Sequence, residues 1–552
     1  MKKFLNYSLI PAIILLIAIS VIAIRCKKPT DGITISVNTS GLFHYTALVQ
    51  VVDNSGGVPS GLSVAVSGDD ADAVYGLDGK KQLTAPAGII VAAIHPKMEP
   101  TDAHPLHFTL RITGAKYLPL VVPITIAADQ KSQTIKLPIL NLTVNTPGVS
   151  APASTTATAV NGVVATTTTL TTTPAAGSVA TTSVSLPAGT QLQDANGNAI
   201  TASSVTVSAN NFAPSSAITL FPGGSLASTN VVGAGGTVTS AVLMPAGFTN
   251  IDMTAGGTAV KKFNAPINVT MTLDPNFKDP NTGNVIADGT VLAIYSYSTD
   301  TGQWKFEQNG TVSNVGGNLT LTFQTSHLTQ FMAGAALQLL QNLAVAIVAP
   351  WYTPGTSSSV FVVAKVSNGP TYDIYSQTFD LNANLTISLD NKLPVPSATS
   401  SITLYFYDSN DHSALLGQVT VTPGSGNSVS ATLSTPAQNN SITLNLQLDC
   451  RDAHQKSIVT PPDFYLLYKK TGTPATAYEV LGQVHNGTIT TKQLVANSQA
   501  YDFKAVFNDH SKEVINHTVS ATNSTTVGGT SFNGAVVPAQ NKIDIHNLCE
   551  SL

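Results

Sequence analysis

The chain has 552 residues, only 10% of them charged, and a formal net charge of −4. Soluble proteins usually carry about 25% charged residues, so polarity here comes from Thr, Ser, Asn and Gly instead. No basic patch attracts nucleic acid, no acidic excess suits a cation-storing surface, and the length calls for several domains.

Met1-Lys2-Lys3 leads into an apolar run from Leu9 to Ile24, broken only by Pro11 and Ser20, and then Arg25-Cys26-Lys27-Lys28-Pro29. A basic start followed by an apolar segment reads as an export signal. Ala23-Ile24-Arg25-Cys26 resembles the lipobox of bacterial lipoproteins, with Arg25 where a small residue is usual. That resemblance implies cleavage before Cys26 and a lipid on its thiol. Two alternatives stay open. Phe4 to Ile24 is long enough to remain as a spanning anchor, since about 20 apolar residues suffice, or the segment is an ordinary cleaved signal. Each places the rest of the chain outside the inner membrane, in the cell envelope or at the surface.

Cys26, Cys450 and Cys549 are the only cysteines. With Cys26 lipidated, Cys450 and Cys549 are expected to pair as a disulfide in an oxidising compartment. Closing a loop of roughly 100 residues would stabilise by about 4–5 kcal/mol in the chain-entropy description. Two buried free thiols are the alternative.

Residues 31–143 read as short alternating strands, Ile33–Val37, Ala47–Val51, Leu62–Val66, Phe108–Ile112 and Leu118–Ile126, separated by Asp-, Asn- and Gly-rich turns. Val51-Val52-Asp53, Gly57-Val58-Pro59-Ser60-Gly61-Leu62-Ser63-Val64 and Gly114-Ala115-Lys116-Tyr117-Leu118-Pro119 resemble the carboxypeptidase regulatory-like modules. The resemblance implies a non-catalytic sandwich of the kind found on cell surfaces. Residues 144–182, rich in Thr, Ala, Ser and Gly, are expected to be a linker, with apolar pairs such as Val163-Val164 leaving room for a strand or two.

Residues 183–338 form a second β unit. Leu186-Pro187-Ala188-Gly189 opens it, and Tyr295 to Trp304 and Ser326-His327-Leu328-Thr329-Gln330-Phe331 close it. That order is similar to the sandwich module of ankyrins and netrin receptors, which implies scaffolding or protein contact and places Trp304 in a core. Residues 339–438 make a third, immunoglobulin-like β unit. Residues 439–552 make a fourth, in which Phe464–Lys470, Leu494 and Tyr501–Val506 resemble fibronectin type III strands, with Tyr501 as the corner tyrosine. Ser-Ile-Thr-Leu recurs at Ser401 and Ser441, and Leu-Gly-Gln-Val at Leu416 and Leu481, but at different spacings, so these read as shared β vocabulary.

Catalytic signals are sparse. Glu99, Glu307, Glu479, Glu513 and Glu550 are the only glutamates, and H-E-x-x-H and G-x-S-x-G motifs are missing. His95, His104 and His107 are the best metal candidates, though residues three apart on a strand face opposite sides. Asp194-Ala-Asn196-Gly197-Asn198 and Asp274, Asn276, Asp279 and Asn281 have the alternating oxygens of a calcium loop without its closing glutamate. A turn is the plainer reading of both. Trp351-Tyr352 is either a stacking platform for sugar rings or a wedge between domains.

The expectation is therefore an all-β chain of tandem immunoglobulin-like sandwiches behind an N-terminal hydrophobic segment. It is expected to be a non-catalytic envelope lipoprotein that binds an envelope protein or a glycan, with no cofactor, catalytic residue or metal ligand assigned. A glycan-binding accessory protein and, further off, a secreted hydrolase are the alternatives.

Overall fold

In the computed structural model, period-two alternation builds the strands. Along Leu106–Thr113, Leu106, Phe108, Leu110 and Ile112 turn inward while His107, Thr109 and Arg111 turn out. The structure describes residues 43–520, apart from short stretches of which 450–457 is the longest, together with 542–544. The N-terminal segment, Cys26, Ile33–Val37, Cys450 and Cys549 lie outside the described residues. Among the described residues no helix is long and apolar enough to cross a membrane. The chain is all-β.

The first module contains β1 (Thr46–Asp53), β2 (Ser63–Ser67), β3 (Val74–Tyr75), β4 (Ile89–Ile94), β5 (Leu106–Thr113), β6 (Leu120–Ile126) and β7 (Ser132–Ile139). They form two sheets, β3-β4-β1-β7 and β2-β5-β6. Strands β1 and β7 are parallel, with Thr46 opposite Ser132 and Asp53 opposite Ile139. Asp53 ties the module together. It accepts from the Tyr117 hydroxyl at 3.0 Å, the Asn141 amide at 2.9 Å and Ser55. Burial acts to raise its pKa, but these hydrogen bonds outweigh it and hold the carboxyl below its ordinary value.

The second module runs through β8 (Ala153–Val160), β9 (Val163–Val164), β10 (Thr168–Thr171), β11 (Thr182–Leu186), β12 (Leu192–Gln193), β13 (Ser204–Phe212), β14 (Ala227–Val232) and β15 (Val238–Ala255). It continues through β16 (Thr258–Val260), β17 (Lys262–Thr272), β18 (Val291–Ser298), β19 (Gln303–Val315), β20 (Asn318–His327) and β21 (Gln330–Gln338). One sheet runs β10-β11-β17-β20-β19-β18-β21-β15-β13-β8-β9. The expected linker is corrected here, because part of 144–182 supplies β8, β9 and β10. Thr169 and Thr171 of β10 point outward, Thr171 Oγ1 donating to Ser183 Oγ at 3.0 Å, while Ala157, Ala159, Val164 and Leu170 turn into the core. β-branched Thr suits a pleated surface with one wet face, and small Ala suffices on the dry one. Strand β15 is buried without alternation from Ala241 to Ile251. Both of its faces are covered, which is what such a run requires.

The third module contains β22 (Ala344–Val348), β23 (Ser359–Val366), β24 (Tyr375–Asp380), β25 (Thr386–Ser388), β26 (Ile402–Tyr407), β27 (Leu415–Val421) and β28 (Ser428–Thr432). The fourth contains β29 (Ile442–Asp449), β30 (Ile458–Val459), β31 (Phe464–Lys470), β32 (Glu479–Val484), β33 (Thr488–Thr491), β34 (Ala500–Phe507), β35 (His510–Thr518) and β36 (Lys542–Asp544). Their sheets are β25-β22-β28 with β24-β23-β26-β27, and β30-β29-β33 (β36 also pairing with β29) with β32-β31-β34-β35.

These two modules and the first share one connectivity. In each, the first strand pairs parallel with the last (β1 with β7, β22 with β28, β29 with β36). The same first strand pairs antiparallel with β4, β25 or β33. The opposing sheet is built on β2-β5-β6, β23-β26-β27 or β31-β34-β35. The sandwiches thus keep the two-layer plan of immunoglobulin domains with a strand order of their own. In the fourth module the corner contact is present, with the Val495 amide donating to the Tyr501 hydroxyl at 2.8 Å beside buried Leu494. Its strand order is nonetheless that of the first and third modules. The recurring tetrapeptides fall on non-equivalent strands, Leu416 on β27 and Leu481 on β32.

The modules pack on one another. A single apolar core runs through the second and third, and Tyr372 donates to the Pro245 carbonyl at 2.9 Å. The first and fourth share a separate cluster in which Leu48, Ile89 and Ala93 meet Tyr465, Leu467 and Val506. Across it Thr46 Oγ1 and the Tyr465 hydroxyl lie 2.7 Å apart, and Gln50 Nε2 donates to the Tyr478 carbonyl at 2.9 Å.

Candidate functional site

This packing leaves a cavity of about 510 Å³ where the modules converge. The first module contributes β7, whose consecutive residues Ile135 to Pro138 all line it. A strand shows successive residues to one space only along its edge, and Pro138 suits an edge because it lacks a ladder donor. The third module contributes its own edge strand, β24, through Tyr375 to Thr378. The second adds the turn at Gly223-Gly224. Gly224 has φ +65°, and a Cβ there would lie 2.0 Å from Leu137, so only glycine lets the turn approach β7 this closely. Thr476 of the fourth module completes the lining.

Lys136 and Lys392 are the charged residues that line the cavity among those described, and no carboxylate lines it. Lys136 Nζ donates to the Tyr478 carbonyl at 2.7 Å. Burial lowers the pKa of both lysines, partly offset by Glu479 for Lys136 and by Asp390 for Lys392. The Asn54 carbonyl oxygen accepts from the Asn141 amide and the Thr146 hydroxyl, while its buried Nδ2 has no partner among the described residues.

Where β7 and β24 come closest, Asp380 faces Thr134. Burial pushes the Asp380 carboxyl up to about 6, with the Thr134 hydroxyl pulling the other way. Tyr465 of the fourth module is close enough to sense this carboxyl, so three modules meet here.

Trp351 and Tyr352 lie between β22 and β23, half-buried and packed against the core shared by the second and third modules. Lys492 of the fourth module donates to the Trp351 carbonyl at 2.8 Å and to Thr353 Oγ1 at 2.9 Å. The neighbouring Ser357 pairs with Thr491 in an isolated parallel bridge. This pair does not line the cavity. A different aromatic group reaches it: on the outer face of β23 and β26, His412 stacks on Tyr407 at 4.5 Å and lies 5.4 Å from Phe361, which lines the cavity.

The remaining candidates have local partners. Trp304 is 1% exposed and stacks on Phe221 at 4.8 Å. His327 packs against Phe331, its Nε2 3.5 Å from Glu307, and burial lowers its pKa against the pull of Glu307. His95 accepts from the Lys97 amide, His104 closes a tight turn with Thr101, and His107 bonds Thr125. Among the described residues no three His, Cys, Asp or Glu side chains gather as a metal site would need. Asp194 accepts from the Asn196 and Asn198 amides at 2.8 Å, and Asp274 and Asp279 accept from Asn276 and Asn281, so these carboxylates cap their own turns.

No family model matches the sequence, and no curated protein matches it. Among solved structures, a mutant of the shaft pilin SpaA from Lactobacillus rhamnosus GG is 11% identical, covering 33% of this chain and 95% of that one at a TM-score of 0.15. The Bacillus anthracis TIE protein is 10% identical over 72% of this chain and 57% of that one, with a TM-score of 0.12. A tetra-tandem repeat from the extending region of a large adhesion protein is 12% identical over 85% and 99%, with a TM-score of 0.09. At such TM-scores the likeness carries no argument.

Proposed function

We propose that this is a non-catalytic cell-envelope protein, held at the membrane by a lipid on Cys26 or by its uncleaved N-terminal anchor, that presents a rigid surface to an envelope partner. The observation that carries this reading is the docking of the first module on the fourth through Leu48, Tyr465 and the Thr46–Tyr465 hydrogen bond. A chain of free sandwiches would have to be ordered on binding, whereas a locked body avoids that entropic cost. Fractionation and protease treatment of intact cells test the location. Cys26→Ala should release the protein from the membrane or leave the precursor uncleaved, and unchanged association with an intact N-terminus supports the anchor. Turnover of a polysaccharide or peptide that disappears on changing one Asp or His would overturn the non-catalytic reading.

One observation favours a glycan as the partner. Phe361 and Tyr407 are cross-strand neighbours on the outer face of β23 and β26, and His412, from the loop after β26, stacks on Tyr407 at 4.5 Å, an aromatic cluster of the kind that sugar rings pack against. Tyr407→Ala should then abolish retardation of the protein in gels containing the polysaccharide it binds, leaving its unfolding midpoint unchanged.

A further inference from the structure

We propose that the cavity at the module junction binds a small amphipathic anion, a molecule with an apolar body and a carboxylate or phosphate head. Its volume of about 510 Å³ falls within the ~300–1,000 Å³ of ordinary small-molecule sites. Val122, Leu137, Leu220 and Phe361 give it apolar wall, and Lys136, Lys392 and Asn54 give it donors. The polarity is one-sided. Two lysines line the space with no carboxylate among the described lining residues, which favours an anion over a cation or a neutral ligand.

Lys136 already donates to the Tyr478 carbonyl, but the other two donors are spare. Lys392 Nζ has no hydrogen-bond partner among the described residues, and neither does the buried Asn54 Nδ2. Asp390, the nearest compensating charge for Lys392, lies outside the lining and already accepts from the Asn342 and Asn391 amides at 2.6 and 3.0 Å. A buried amide left unpaired costs free energy that a bound acceptor would recover. Lys136 and Leu137 come from the first module, Leu220 from the second, and Phe361 and Lys392 from the third, so a ligand that reaches both lysines bridges the first and third modules.

Equilibrium fluorescence titration of the full-length protein with naphthalene-2-carboxylate, 2-naphthyl phosphate and the neutral naphthalene-2-carboxamide tests this. The expected result is saturable binding of at least one anion, with the carboxamide at least tenfold weaker. Whichever of carboxylate and phosphate binds tighter identifies the head group. Lys392→Gln should weaken the anion at least tenfold, and Lys392→Arg should restore it. If Lys392→Gln lowers the unfolding midpoint, Asn54→Asp replaces it, because it adds a carboxylate to the lining and should also lose the anion tenfold. Equal binding of carboxamide and anions, no saturable binding, or anion affinity unchanged in the folded variants would overturn the proposal.

Discussion

The first module meets its neighbours in two different ways. Against the fourth it uses the face of its sheet, where Leu48, Ile89 and Ala93 mesh with Tyr465, Leu467 and Val506, and the polar atoms between them pair. Against the third it uses the edge of the same sheet, where β7 faces β24 without ladder hydrogen bonds and a cavity opens beside them. A face presents side chains that interdigitate and exclude water. An edge presents backbone groups and a few side chains at its rim, so two edges that do not pair leave space between them. The face contact locks the body, and the edge contact leaves room for a ligand.

Breaking the face contact should have the largest effect. Tyr465→Ala removes a buried ring and the partner of Thr46, and should cost about 3–5 kcal/mol in urea unfolding. A loss under about 1 kcal/mol would mean that the first and fourth modules do not depend on each other. Trp351→Ala comes next. If the tryptophan is a wedge, its half-buried side chain predicts a loss of about 2–3 kcal/mol with partner binding intact, and a stacking platform predicts the reverse.

The edge contact should show itself through pH. Folded Asp380 keeps its proton up to about pH 6, whereas in the unfolded chain it gives the proton up near pH 3.8. The folded state therefore binds more protons between those values, and stability falls as pH rises from about 4 to about 6. Asp380→Asn should remove that slope and leave the variant about 1–3 kcal/mol more stable than the parent at pH 7. Asp53 provides an internal control of opposite sign. Its depressed pKa gives stability that is present above the ordinary carboxylate value and lost as acid protonates it, and Asp53→Asn should remove that acid-side loss.

The sequence made much of the fold legible and little of the site. Alternation located β5, and the Leu494–Tyr501 pattern led to a real corner contact. Strands β8 and β10 were hidden because Thr and Ala carry too little hydrophobic contrast to betray alternation, whereas the apolar pair Val163-Val164 marked β9. The common connectivity was hidden because it depends on pairing Thr46 with Ser132 and Asn445 with Lys542, far apart in the chain. The cavity was hidden more deeply still. Lys136 and Lys392 belong to no motif and come together only through the docking of separate modules. The local clues are Pro123 in β6 and Pro138 in β7, prolines within strands that both sit at sheet edges and line the cavity.

The most direct test of the locked body is a double-mutant cycle across the face contact, with Thr46→Val, Tyr465→Phe and the pair measured in the full-length chain. The two hydroxyls are 419 residues apart in sequence and 2.7 Å apart in the fold. Docked modules predict a coupling energy of about 0.5–1.5 kcal/mol, the value of one such hydrogen bond. Additive effects within about 0.3 kcal/mol would mean that the hydroxyls never meet, and would contradict the account.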